Sequence, residues 1–226
     1  ISEPHAVVLV FKSPVTVNGE KVSELVFIQK RDVDAEVWTG ERLGTEGSET
    51  LFEIEKAYEN TAFKQLDLDF KQFNSIHYIK PQSDVRDDVY SKSDLHGLLL
   101  QFDSFIENVG KDKIKNTKIH QWMSELREFK KEEELVLMKR AIEITCTAQK
   151  ELMRALKPRM KEYQSEAIIE FIFKKNGAEY PGFPSILGSG ENSCVLHYVS
   201  NRKLMTGNNL LVSDVGAEYH GYTADV

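Results

Sequence analysis

The spacing of apolar and polar positions changes character about halfway along the chain. In the first half, residues 7–12 and 25–30 are β-branched and apolar runs joined by a loop that contains Asn18–Gly19, so they read as paired strands. Residues 48–59 read as an amphipathic helix, with Leu51, Ile54 and Ala57 on one face. Residues 75–80 form a further short strand closed by Pro81. Ser93 can cap a helix reaching Val109, with Leu95, Leu98, Leu99, Phe102 and Ile106 inward and Gly110 as its stop. Residues 111–118 are charged and poor in apolar side chains, as linkers are.

From residue 131 to 156 the period becomes helical. Leu135, Met138, Ile142, Thr145, Leu152 and Leu156 form a stripe that Ala141, Ala148 and Ala155 widen. Lys157–Pro158 ends it. Residues 166–175 predict a second helix, with Asn176–Gly177 as its stop. A Gly- and Pro-rich loop over 180–192 follows, then short strands at 195–199 and 209–215. The pattern is two α/β units joined near residue 115.

The last seventeen residues, LLVSDVGAEYHGYTADV, hold two apolar runs around a polar turn, each with one aspartate: Asp214 and Asp225. A hairpin centred on Tyr219–His220 makes 214 and 225 direct cross-strand neighbours, roughly 5 Å apart on one face. Carboxylates that close in an apolar setting repel each other and resist desolvation. Divalent cations between them would relieve both costs. The alternative is two surface aspartates at turns, which their place inside apolar strands disfavours.

Composition narrows the partners. A net charge of −7 argues against a general nucleic-acid or anionic-membrane binder and is compatible with a site that draws cations or free amino termini. Two cysteines, Cys146 and Cys194, are too few for a disulfide framework, which points to a reducing, cytoplasmic setting. No apolar run reaches membrane-spanning length. The chain opens on Ile1 rather than Met and closes one residue after Asp225, so it reads as cut at both ends, with an upstream targeting segment left open.

Two further segments can carry chemistry. In GSGENSCVLHY, residues 188–198, the glycines allow close backbone approach, and His197 alternates with apolar neighbours on an expected strand; it is either a satisfied structural histidine or an active-site one. Cys194 reads as a small buried apolar residue, since no base is paired with it by spacing. In DAEVWTGERLG, residues 34–44, Trp38 is either packed or exposed for recognition.

These residues carry a family resemblance. GFPSILGSGENSCVLHY followed by LLVSDVGAEYHGYTADV resembles the pita-bread metallopeptidases, and among them the Xaa-Pro aminopeptidases. RDVDAEVWTGERLG resembles the amino-terminal, creatinase-like domain of those enzymes, and LREFKKEEELVLMKRAIEIT the first helix of their catalytic domain. The resemblance implies an α/β amino-terminal domain over residues 1–118 and an incomplete α+β pita-bread domain over 119–226. It implies that Asp214 ligates one metal and Asp225 bridges two divalent ions, usually assigned as Mn2+. His197 would hydrogen-bond the reacting peptide. Phe183 and Tyr180 would line the pocket for the substrate's proline side. Trp38 would reach a neighbouring subunit, which implies a homo-oligomer. The family completes its site with one histidine and two glutamates downstream of the aspartate pair, so a chain ending at Val226 is expected to be inactive alone.

The implied activity is removal of the first residue from peptides with proline second. A prolidase cutting Xaa-Pro dipeptides shares the fold and metals. A non-catalytic peptide- or histone-binding module, or a metal-free creatine hydrolase, would have no reason to keep both aspartates.

Overall fold

The computed structural model describes residues 3–79, 90 and 94–226. It divides into two compact units, Ile1–Glu125 and Leu126–Val226. In the first, β1 (Val7–Val17) and β2 (Glu20–Ile28) form an antiparallel hairpin. The Asn18–Gly19 pair is the whole turn, with φ of 49° and 85°, a two-residue geometry that glycine and asparagine adopt at low cost. β1 slips register between Val10 and Val15, around Pro14, whose missing N–H cannot join a ladder.

A short helix α1 (Val33–Thr39) follows, capped by Asp32 accepting from the Ala35 amide. The helix expected over 48–59 is displaced. α2 covers Gly44–Phe52 and ends at Glu53, whose φ of 52° leaves helical space. Ala57–Glu59 instead forms β3, parallel to the edge of β2, so Ala57 is buried in a sheet while Leu51 lies exposed. β4 is Ile76–His77. Lys80, Pro81 and Ser93 lie outside the described residues, so the expected strand stop and cap fall there. The described cap of α3 (Leu95–Ile106) is Asp94, which accepts from the Gly97 amide at 2.8 Å. The expected linker is structured: a 3-10 turn at Lys111–Lys113 leads into β5 (Ile114–Lys115), parallel to β4. The core is aromatic, with Phe27 and Phe63 edge to face at 4.9 Å and Phe63 against Phe105 at 5.4 Å. Each such ring contributes about 1.5–3 kcal/mol of burial.

The dividing line between the units falls inside α4 (Lys118–Glu128). α5 (Glu132–Ala155) then runs as its spacing predicts, with Lys131 and Leu156 as caps. Its buried stripe is Ala141, Ile144, Thr145, Ala148 and Leu152; Ile142, expected inward, is 45% exposed. α6 (Glu162–Lys175) starts four residues before the expected 166. Ile169, Ile172 and Phe173 pack on α5 in the core of this unit.

Short strands build the rest. β6 (Tyr180–Pro181) pairs with β9 (Ala217–Tyr219), which pairs with β10 (Tyr222–Thr223). β7 (Ile186–Ser189) pairs antiparallel with β8 (Leu211–Asp214). The strand expected at 195–199 does not form. A 3-10 turn at Gly190–Cys194 is followed by a turn at 196–197, and Val195, Leu196 and Val199 face solvent. Among the described residues no helix is long and apolar enough to cross a membrane.

Candidate metal centre

The segment from Leu211 to Tyr219 leaves β7 and enters the three-stranded sheet, and Asp214 sits at that junction, opposite Ile186. The hairpin beyond it turns one residue later than expected. Tyr219 faces Tyr222, and His220–Gly221 forms the loop with φ of 47° and 86°. The glycine sets this position, because a two-residue turn with positive φ favours glycine at its second site.

The register therefore differs from the sequence expectation. Val215 and Val226 exchange both backbone hydrogen bonds, at 3.0 and 3.2 Å, so Asp225 lies opposite Gly216 rather than Asp214. A slip of two along the ladder preserves the face. In a regular ladder that register would make the aspartates diagonal neighbours about 7–8 Å apart rather than 5 Å, although β8 ends at Asp214 and β10 at Thr223. Asp214 is half-buried and Asp225 exposed.

Phe183 joins them. Gly182 donates to the Gly216 carbonyl at 2.8 Å, carrying the Phe183 loop against the hairpin. A Cβ on Gly216 would lie 2.9 Å from Phe183 Cε1 and 1.7 Å from the Ala224 oxygen, so the ring packs over a residue that must lack a side chain. Tyr180 is 68% exposed, with Lys174 Nζ 5.9 Å from its ring centre. His197 is exposed in its turn, off the strand expected for it. Cys194 is exposed and free, not buried as expected. Trp38 is 88% exposed in the first unit, on a helix with no buried residue.

Helix α5 secures the hairpin. The buried Thr145 hydroxyl donates to the Ala141 carbonyl and accepts the Ala217 amide at 2.9 Å. Gln149 and Ser213 exchange two hydrogen bonds, at 3.0 and 3.2 Å. The Tyr222 hydroxyl donates to Glu134, which holds that carboxyl below its ordinary range, after the larger effect of the Lys131 amide.

Sequence reasoning missed Glu162. It is fully buried at the first position of α6, and both its oxygens are used. Oε1 accepts from Ser189 N and Oγ, each at 2.8 Å, and from Asn192 Nδ2 at 3.2 Å. Oε2 accepts from the Tyr198 hydroxyl and Lys203 N, each at 2.8 Å. Burial pushes this carboxyl up, but those donors together outweigh it and hold it below its ordinary value. The GSGEN glycines serve the same fold: a Cβ on Gly188 would meet the Asn192 backbone oxygen at 2.7 Å, and Gly190 has φ of 58°. The close approach they permit is to the chain's own 3-10 turn.

Two carboxylates brought near each other by the hairpin suit a hard divalent cation. Neither makes an ion pair or side-chain hydrogen bond among the described residues, so both keep acceptor oxygens available. Among those residues no group of three or more His, Cys, Asp or Glu could hold a metal, so this pair would be a part of a coordination sphere.

Comparison with known proteins places the chain in a family. Residues 136–226 match the model of metallopeptidase family M24. Residues 1–77 match the aminopeptidase P amino-terminal domain. The Xaa-Pro aminopeptidase of Escherichia coli is 32% identical over 233 residues, covering all of this chain and 49% of that protein. Human Xaa-Pro dipeptidase is 32% identical over 125 residues, 53% of this chain and 25% of that one. Among solved structures, proline aminopeptidase P II from Yersinia pestis superposes with a TM-score of 0.76 at 30% identity, covering the whole chain and 50% of its own. Zinc-substituted E. coli aminopeptidase P in complex with product gives 0.80 at 27% identity, covering 49% of that chain. The fold and the family match define an incomplete pita-bread metallopeptidase domain. The chain belongs to metallopeptidase family M24, in the form that carries an aminopeptidase P amino-terminal domain. It spans about half the length of the aminopeptidase relatives it matches.

Proposed function

We propose that the whole protein is a metal-dependent aminopeptidase that releases the first residue from peptides with proline second. The observation that supports this reading is the hairpin register, in which Val215 pairs with Val226, so that Asp225 falls opposite Gly216, two residues from Asp214, with the Phe183 ring against that glycine. Asp214 would ligate one divalent ion and Asp225 would bridge two, with Mn2+ as the proposed metal. Such ions supply a Lewis acid for the scissile carbonyl and a hydroxide nucleophile near neutral pH. His197 would hydrogen-bond the reacting peptide from its exposed turn. Phe183 and Tyr180 would supply apolar surface for a proline ring, and an Xaa-Pro bond, having no N–H, needs such shape recognition.

The aminopeptidase reading is favoured over a dipeptidase because the E. coli aminopeptidase matches across the whole chain, whereas the human dipeptidase matches 53% of it. Exposed Trp38, with Val33 and Val37 exposed on the same helix, supports a homo-oligomer in which this face meets a second copy. The net charge of −7 gives no support to a nucleic-acid or membrane partner, and two free, exposed cysteines suit a cytoplasmic location. The test is hydrolysis of Arg-Pro-Pro against Ala-Pro by the whole protein loaded with manganese. Release of arginine from the tripeptide with the dipeptide spared is expected; the reverse preference makes it a prolidase.

A further inference from the structure

The turn that carries His197 has little apolar anchorage of its own. Val195 and Val199 are each 53% exposed and Leu196 is 88% exposed, so hydrophobic burial does not fix it. Its neighbours are instead gathered by one carboxylate on another element. Glu162 accepts hydrogen bonds from Ser189 and Asn192 before the turn and from Tyr198 and Lys203 after it. The Glu162 amide also donates to the Lys203 carbonyl at 3.0 Å, and Lys161 bridges to Leu204. Residues 189 and 203 are thus tied to one point, and Tyr198, adjacent to His197, is tied to the same point from within the span.

The donors to this carboxylate are all neutral: two backbone amides, two hydroxyls and a side-chain amide. A buried carboxylate without a cation persists only where donors saturate it, so loss of one donor is felt by the whole set. Surface loops without such an anchor sample many conformations, at an ordering cost of about 1–2 kcal/mol per residue.

We propose that Glu162 is a positioning residue that holds His197 at its working place through Tyr198. This rests on the aminopeptidase reading for the role of His197, while the anchoring of the turn is independent of it.

The test uses Tyr198→Phe, which removes one hydroxyl and keeps the ring, alongside Glu162→Gln. In the 226-residue chain, amide exchange at Val195 and Lys203 should quicken about tenfold or more in Tyr198→Phe while amides in the α5 core keep their rates. Unchanged exchange at both amides would overturn the anchoring role. In the whole protein, Tyr198→Phe should lower kcat/KM for Arg-Pro-Pro about tenfold. That loss should vanish when His197→Ala is already present, because the two changes act through one group. A loss of equal size in the His197→Ala background overturns the proposal and leaves Glu162 a purely structural residue. If the unaltered protein does not cleave the tripeptide, the aminopeptidase reading fails, and the exchange rates still decide the anchor.

Discussion

Val215 and Val226 form a hydrogen-bonded pair, each donating to the other's carbonyl, and this pair sets the geometry of the two aspartates beside them. With 215 opposite 226, Asp225 lies across from Gly216, two residues on from Asp214, and not across from Asp214 itself. The space over that glycine is taken by the Ala224 carbonyl and the Phe183 ring.

Asp225→Asn keeps the size and exposure of the side chain and removes one charge. Stability of the 226-residue chain in urea should change by less than about 0.5 kcal/mol, as for other exposed positions. In the whole protein the same change should lower kcat/KM for Arg-Pro-Pro about a hundredfold or more, because a neutral amide bridges hard cations poorly. Calorimetric titration with manganese should lose its tight phase. Near-normal hydrolysis by this variant would exclude Asp225 as a metal bridge.

Gly216→Ala tests the packing under the site. The added Cβ would stand 1.7 Å from the Ala224 carbonyl oxygen, which is backbone and cannot rotate aside. Forcing the hairpin strands apart should cost about 3 kcal/mol or more, read as a lowered urea midpoint with an unchanged slope. A variant of normal stability would mean that the strands are not as closely paired as Val215 and Val226 make them.

Much of this was legible in the chain, for reasons that differ by element. Helix α5 was readable because 24 residues of regular spacing give a period little disturbed by single exceptions such as Ile142. The aspartates stood out in the chain because each lies in an apolar run, yet Asp214 is half-buried and Asp225 exposed, so the desolvation that the pattern suggests is small. Their register was not legible, since it depends on which residues take positive φ, and His220–Gly221 competes with Tyr219–His220 by one position. The helix placed over 48–59 failed because Ala57 and Tyr58 find a sheet edge at β2, a tertiary contact that local periodicity cannot report. Glu162 was invisible for the same reason: its five side-chain hydrogen bonds come from residues 27 to 41 positions away. A glutamate opening a helix usually reads as a solvated charge favourable to the helix dipole.

Thr145→Val should weaken the tie between α5 and the aspartate hairpin. The change is nearly isosteric but removes the acceptor for the Ala217 amide, leaving that buried N–H unpaired. The expected cost is about 1–3 kcal/mol in urea unfolding of the 226-residue chain. Thr145→Ser, which keeps the hydroxyl and loses only a methyl, should recover most of the polar contribution. Equal losses in both variants would assign the effect to packing instead.

The buried anion at Glu162 makes stability depend on acid. Burial raises its pKa, but the stronger opposing effect of its donors leaves the folded-state value below the ordinary 4.5. A carboxyl depressed on folding contributes its full stability above the unfolded value and loses it as pH falls through the folded one. Stability should therefore hold from neutrality down to about pH 4.5 and then decline. Protonation would also turn one acceptor oxygen into a donor facing donors, so the turn around Tyr198 should loosen over the same range. Titration of the Glu162 side-chain carboxyl by carbon NMR is the direct measurement. A midpoint below the ordinary 4.5 is expected, and a midpoint above it would mean that burial, not the five hydrogen bonds, governs this carboxyl.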